Sequence, residues 1–272
     1  MTLQEFKAFT NGNFFTLGLM LVGPIGGLML FSVLHRMRGS VISERVQQAG
    51  ASVILSSFLK EYGYWWLQVP SRILVALKVH PTQVTLGGMT VVLMGSALVG
   101  AGYLGLGGLA ILLGSLSDML DGIVARQRGL TSTAGEFIDS FVDRYTDCGV
   151  FIGLGALYRH EPAILSVVVA AAFGAVVVSY ARAKAESKGV LDVPKGPMQR
   201  AERAVLLGFG IYLSPFAQRL WAPLGDTPWL AAAICVLIAV LANISAIEMA
   251  RYTTAALRRR DSERHDERAR EL

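Results

Sequence analysis

The sequence predicts an all-α, polytopic integral membrane protein: a six-helix transmembrane core, with an extra N-terminal hydrophobic helix and an interfacial helix ahead of it. Three observations carry that expectation. Of the 272 residues, 53% are hydrophobic and only 17% charged, against about 25% charged in an ordinary soluble domain; the mean hydropathy is +0.49. Apolar runs of the roughly 17–25 residues needed to cross a bilayer recur at 13–35, 83–104, 106–125, 134–157, 161–183, 204–224 and 228–250. The basic residues alternate: segments 36–78, 126–133, 182–203 and 251–272 hold 6, 2, 6 and 7 of the 25 Lys and Arg, while the intervening segments hold only Lys7, Arg159 and Arg219, and Arg144 falls within a span.

The elements follow in order. The first run, at 13–35, lacks a small-residue cleavage site and is long for a signal core, so it reads as a retained membrane helix, kinked at Pro24 with its flanking glycines. Residues 1–60 form this helix and a connector. Next comes a stretch with Tyr62, Tyr64, Trp65 and Trp66 among Lys60, Arg72 and Lys78, the mixture of an interfacial helix or an aromatic belt. Residues 61–252 are this helix and the core, whose first span opens at Pro81, and residues 253–272 are a charged cytoplasmic tail, expected to be solvated and partly helical. Alternating basic loops orient the core by the positive-inside rule, which puts the loop after Arg126 and the tail in the cytoplasm. The net charge of +5 then reflects topology and contact with anionic membrane lipids; no aromatic-basic interleaving suggests nucleic acid. Cys148 and Cys235 both lie in apolar runs and read as buried thiols, without a disulfide or zinc pattern.

Against this background the stretch from Ser117 to Arg144 is anomalous. Asp118 and Asp121, three residues apart, share one face of the second core span, and Asp139 and Asp143, four apart, share one face of the third. The connection from about Gln127 to Ala134 is short enough to make the two helices antiparallel neighbours, so the four carboxylates converge near the cytoplasmic ends. Such a cluster repels itself and is desolvated unless cations neutralise it. Hard divalent ions with oxygen ligands, two Mg²⁺ or Mn²⁺, meet that need, and a two-metal site suits phosphoryl displacement. Gly122 and Gly135 allow close approach of backbone to ligand, and Arg126 offers a planar donor to a phosphate. Arg128 and Glu136 read as charges snorkelling to the interface, and His80 and His160 as interfacial. Asp147, one turn beyond Asp143, reads as a supporting partner for Arg144 or a deeper polar group.

Eight fixed positions, Asp118-x-x-Asp121-Gly122-x-x-Ala125-Arg126, then eight residues, then Gly135-x-x-x-Asp139-x-x-x-Asp143, match the signature of the CDP-alcohol phosphotransferase (phosphatidyltransferase) family. The resemblance covers about residues 77–252 and leaves 1–60 unexplained. It implies transfer of a phospho-group from a CDP-linked donor to a hydroxyl, with release of CMP. By position, Asp118, Asp121, Asp139 and Asp143 would hold the metals, Asp143 would be the general base, and Asp121, Gly122, Ala125, Arg126 and Gly135 would form the CDP site. The family also implies a homodimer. No Ser, Cys or His stands beside the cluster as a nucleophile, so direct in-line displacement is expected.

For the acceptor, Arg182, Arg200 and Arg203 sit near span ends on the cytoplasmic side, where they could clamp an anionic alcohol. The strings "DSFVDRYTD", "SYARAKAE" and "QRAERAVL" are similar, more loosely, to the phosphatidylinositol-phosphate synthase branch. The expectation is therefore a phospholipid-biosynthetic transferase of the cell membrane, its site facing the cytoplasm, moving a phosphatidyl group from CDP-diacylglycerol to an inositol phosphate. A phosphatidylglycerophosphate synthase or another acceptor specificity is the alternative. A divalent-cation transporter is the rival of another class; it would spread acidic residues through the membrane depth, whereas here they gather at one level.

Overall fold

A computed structural model describes residues 26–33, 57–194, 196–220 and 227–271; every regular element among them is helical. After a helical stretch at 26–33 come α1 (Ser57–Ala76), α2 (Pro81–Gly100), α3 (Leu104–Ser115), α4 (Ser117–Gln127), α5 (Thr133–Leu157), α6 (Pro162–Ser187), α7 (Arg200–Leu220) and α8 (Trp229–Glu271). The rest of the expected first span, Pro24 with it, and Lys195 lie outside the described residues.

Local chemistry sets the boundaries. Pro81 and Pro162 open α2 and α6 at their first turns, where a fixed φ and a missing N–H cost nothing. Before Pro81, His80 and Gln83 form a reciprocal capping box. Ser132 caps α5 by accepting the Gly135 N–H at 3.1 Å. Gly129 takes φ +64°, which lets the chain turn out of α4 within five residues.

Helices lie, among the described residues, in each of the runs expected as core spans, the fifth of which extends past Leu220 beyond those residues. Among the described residues, four stretches are long and apolar enough to cross a membrane on length and composition: Pro81–Gly100, Leu104–Gln127, Pro162–Ser187 and Trp229–Glu267. α5 and α7 fall short of that measure because they carry the acidic and basic residues of the site. The second span, expected as one helix, divides at Leu116. There Ser115 and Ser117 donate their hydroxyls to the Ile111 and Gly114 carbonyls, each at 2.7 Å. Such back-bonding competes with the amide ladder and bends helices.

Small residues bring the helices together, as in other membrane bundles. α2 and α3 run antiparallel, and a Cβ on Gly95 would lie 2.8 Å from the Gly107 carbonyl. α3 meets α7 at Gly108, whose missing side chain admits the backbone of Tyr212. α6 and α8 run parallel, with Asn243 donating to Ala170 O at 3.2 Å and Arg260 to Gly189 O at 2.8 Å. The core holds Val99, Ile111, Leu154, Ala171, Ile238 and Ala242, while Ile152, Phe173, Val240 and Ile247 point outward. In the described part the charged residues from 253 onward are helical. They continue α8, whose 43 residues span roughly 65 Å at 1.5 Å each, twice a bilayer core.

Candidate active site

The site lies at one end of the bundle, where α2, α5 and α7 begin and α4 ends. Backbone packing does not press α4 and α5 directly together as neighbours; α2 lies against both, and the acidic side chains face one another across the gap. Carboxylate oxygens of Asp118, Asp139 and Asp143 fall within 4.8 Å of one another. Asp139 Oδ1 is buried without a hydrogen-bond partner. A buried carboxylate oxygen with no donor is costly, and an all-oxygen set at this spacing suits a hard divalent cation. These residues therefore fit the metal that the sequence calls for.

Asp121 stands slightly apart from that trio. It is 6% exposed and accepts a hydrogen bond from Thr85 Oγ1 at 2.5 Å, a hydroxyl also 3.2 Å from the Pro81 carbonyl. The start of α2 thus fixes the carboxylate's orientation. Asp121 shares a cavity of about 340 Å³ with Asp118 and Asp139, and all five residues expected at the CDP site, Asp121, Gly122, Ala125, Arg126 and Gly135, line it. A Cβ on Gly122 would sit 3.3 Å from Arg126 Nη1, so this glycine gives the guanidinium room beside the helix.

On the other flank, α7 brings its first turn onto the aspartates. Met198 is almost fully buried just before the helix, and Glu202 accepts the Gln199 N–H at 2.8 Å, so the start of α7 is pinned on both sides. Arg200 then reaches three carboxylates: Nη2 lies 2.6 Å from Asp143 Oδ1, Nη1 3.2 Å from Asp118 Oδ2, and Nε 3.8 Å from Asp147 Oδ1. Arg203, only 1% exposed, donates to Asp147 Oδ2 at 3.0 Å. Asp147 thus supports Arg203 and Arg200, while Arg144 pairs instead with Asp143 at 3.7 Å. Arg182, grouped with these two arginines on sequence grounds, is half-buried on α6. Among the described residues no ion pair joins it to the cluster.

Sequence reasoning passed over several contributors. Arg128, expected to snorkel, donates Nη1 to the carbonyls of Val79 at 2.7 Å and Lys78 at 3.0 Å, and so ties the end of α4 to the α1–α2 junction. Lys78 holds φ +54° there. His80, expected at the interface, caps α2 and lines the cavity with Tyr64 and Thr85. The run "HPTQVT" carried a signal for two of these: a helix start with a hydroxyl one turn in.

Known proteins share both pattern and shape. The pattern that defines the family described as CDP-alcohol phosphatidyltransferase matches residues 78–250. An archaetidylinositol phosphate synthase of Pyrococcus horikoshii is 32% identical over 138 residues, 50% of this chain and 71% of that protein. A phosphatidylinositol phosphate synthase of Cutibacterium acnes is 32% identical over 209 residues, 74% of this chain and 98% of that one. The phosphatidylinositol phosphate synthase of Mycobacterium tuberculosis, in a crystal structure with CDP-DAG bound, superposes with a TM-score of 0.60 at 28% identity, covering 69% of this chain and 92% of that one. The same protein has a structure in complex with manganese and citrate, in keeping with divalent-metal use at an acidic cluster of this kind. A membrane-spanning helical bundle, the aspartates at one of its ends and a pattern match over the whole core agree: this chain is an integral membrane transferase of the CDP-alcohol phosphatidyltransferase family.

Proposed function

We propose that the protein transfers the phosphatidyl group of CDP-diacylglycerol to a hydroxyl of an inositol phosphate and releases CMP. The observation that carries this reading is the meeting of two unlike surfaces. A cavity lined by the donor-site residues adjoins an arginine pair, Arg200 and Arg203, on the far side of the same aspartates. Arg203 keeps Nε and Nη1 buried without partners among the described residues, and Arg200 lies beside Asp143. Together they form a cationic flank suited to the phosphate of an anionic alcohol. The names of the relatives favour inositol phosphate among such acceptors; glycerol-3-phosphate is the second reading.

The chemistry divides among the chain's own groups. Arg126, on the open side of α4, meets the donor's diphosphate, and Gly122 and Gly135 let backbone approach the nucleotide. The acceptor's phosphate rests on Arg200 and Arg203, which aims a ring hydroxyl at the cluster. Asp143 takes the hydroxyl proton as its oxygen bonds to the phosphatidyl phosphorus; the bond from that phosphorus to CMP breaks in the same in-line displacement. Asp118, Asp121, Asp139 and Asp143 would hold two Mg²⁺ or Mn²⁺ ions, which supply charge neutralisation of the diphosphate and of the leaving CMP. Thr85 holds Asp121, and Asp147 holds Arg203. The alternating basic segments favour a cytoplasmic face for this end of the bundle, and a homodimer is expected from the family alone.

The test is CMP release by purified protein with CDP-diacylglycerol, Mg²⁺ or Mn²⁺ and a panel of alcohols. Inositol phosphate should give the highest kcat/KM. Preference for glycerol-3-phosphate would move the assignment to the second reading, and no CMP with any acceptor would overturn the enzymatic one.

A further inference from the structure

The family match begins at residue 78, and nothing in it accounts for what precedes. We propose that the helix at 26–33 is a brace for the donor cavity: it grips α1, and α1 carries Tyr64 into the cavity wall. This rests on reading that cavity as the nucleotide site.

α1 uses two faces. On one, Phe58, Tyr62, Trp65 and Trp66 recur at helical spacing. Phe31 inserts there, 6% exposed, with ring centroids 5.3 Å from Phe58, 5.6 Å from Tyr62 and 5.8 Å from Trp65. One turn earlier, Gly27 lies so close that a Cβ would stand 2.8 Å from Trp66 Nε1 and 2.9 Å from the Tyr62 hydroxyl. Those two groups are themselves joined by a 2.6 Å hydrogen bond. No larger residue fits at Gly27 without moving the aromatic cluster. The contact is thus specific in shape, unlike the loose side-by-side packing of two greasy helices.

The second face, about half a turn around, looks at the catalytic core. Gly63 leaves 3.5 Å between a would-be Cβ and Met119 Cε on α4. Tyr64 lines the donor cavity beside Met119, and also a second space of about 400 Å³ between α1 and α4 that includes Gln68, Ser71 and Gln127. α1 therefore rests on α4 across a partly hollow interface. At its far end it is tied through the carbonyls that Arg128 holds. A helix seated over a cavity has few contacts of its own to fix its angle; the aromatic clasp on its outer face supplies them. An aromatic wall bearing a hydroxyl suits the base or ribose of a nucleotide, so the brace acts on the donor and not on the acceptor, whose arginines lie across the aspartates.

The test uses full-length protein carrying Gly27→Leu, with the milder Phe31→Leu as the variant that keeps the fold if the first does not. Each is assayed for CMP release and, separately, for CDP affinity by titration without acceptor. The donor KM and the CDP dissociation constant should rise about tenfold, within the roughly 10²-fold that an ångström of misplacement can cost, while kcat and the acceptor KM stay within about twofold. Tyr64→Ala should show the same donor defect, and Gly27→Leu should add little to it, the non-additivity expected of residues acting through one another. Unchanged donor constants in folded Gly27→Leu or Phe31→Leu protein, or equal losses for donor and acceptor, would overturn the brace. Wild-type protein that neither binds CDP nor releases CMP would instead overturn the functional reading, and the brace with it.

Discussion

The α6–α8 pair and the corner where α4, α5 and α7 meet belong to one bundle, yet different forces assemble them. Along the spanning part of α6 and α8 the contact is almost wholly apolar: Ala171, Ala175, Ile238 and Ala242 are buried, and one amide, Asn243, bonds across. The Arg260 contact lies beyond it, past the end of α6. Lipid tails are as apolar as these side chains, so close fit and dispersion hold the pair. At the corner, Asp121, Asp143, Glu202 and Arg203 are equally buried. Removing such charges from water costs several kcal/mol per ion, in the range of about 3–5 when a partner is lacking. The spanning part of the α6–α8 pair shows that helices of this bundle can close on one another without charge. A charged corner is thus not what closing the bundle requires, and Asp121, Asp143 and Arg203 are each met by another group, Thr85, Arg200 and Asp147.

That contrast can be broken or sharpened by substitution. The largest effect should come from Asp143→Asn, which keeps the shape but removes the proton acceptor; turnover should fall by about 10²–10⁴-fold while CDP titration still shows binding. Retained turnover would remove Asp143 from that role. Next, Arg203→Leu leaves the half-buried Asp147 with only the longer contact to Arg200 at 3.8 Å and should cost up to about 3–5 kcal/mol in thermal unfolding in detergent. Adding Asp147→Leu should recover much of the loss, since an apolar pair would convert the corner to the kind of packing found at α6–α8. If the double variant is no more stable than the single one, the pairing is not what holds Arg203 in place.

Smaller changes probe specificity and the apolar side. Arg200→Ala should raise the KM for an anionic acceptor about 10- to 100-fold, the equivalent of about 1.5–3 kcal/mol for a charge-assisted hydrogen bond. The KM for CDP-diacylglycerol should move far less, and an equal rise in both would detach Arg200 from the acceptor. At α6–α8, Asn243→Ala should cost only about 0.6 kcal/mol in the same unfolding measurement. A loss as large as that of Arg203→Leu would erase the distinction between the two regions.

Much of this architecture was legible in the residues, for reasons that are themselves instructive. Span positions follow from runs of apolar side chains, and the start of α2 from Pro81. The i, i+3 and i, i+4 aspartates announced a shared face because a helix fixes their direction. What depends on a partner distant in sequence did not show. Thr85 bonds Asp121 across 36 positions, and Arg128 reaches carbonyls some 50 residues away; no periodicity reports either. Arg203 read as an acceptor clamp, but its burial against Asp147 gives it a structural load as well. The split at Leu116 escaped notice because its cause is serine hydroxyls turned back on carbonyls, a choice of rotamer and not of composition. The charged end reads as partly helical, but the length of α8 was not legible, because charge patterning marks where the membrane stops and says little of where a helix does.

The central claim, that carboxylates from α4 and α5 jointly hold a divalent cation at the donor's diphosphate, is tested most directly by Mn²⁺ titration followed by electron paramagnetic resonance, with and without CDP. The account predicts binding that CDP tightens in the wild type, and a loss of at least about tenfold in affinity when either Asp118 on α4 or Asp139 on α5 is changed to asparagine. Mn²⁺ binding left intact by both substitutions would contradict it.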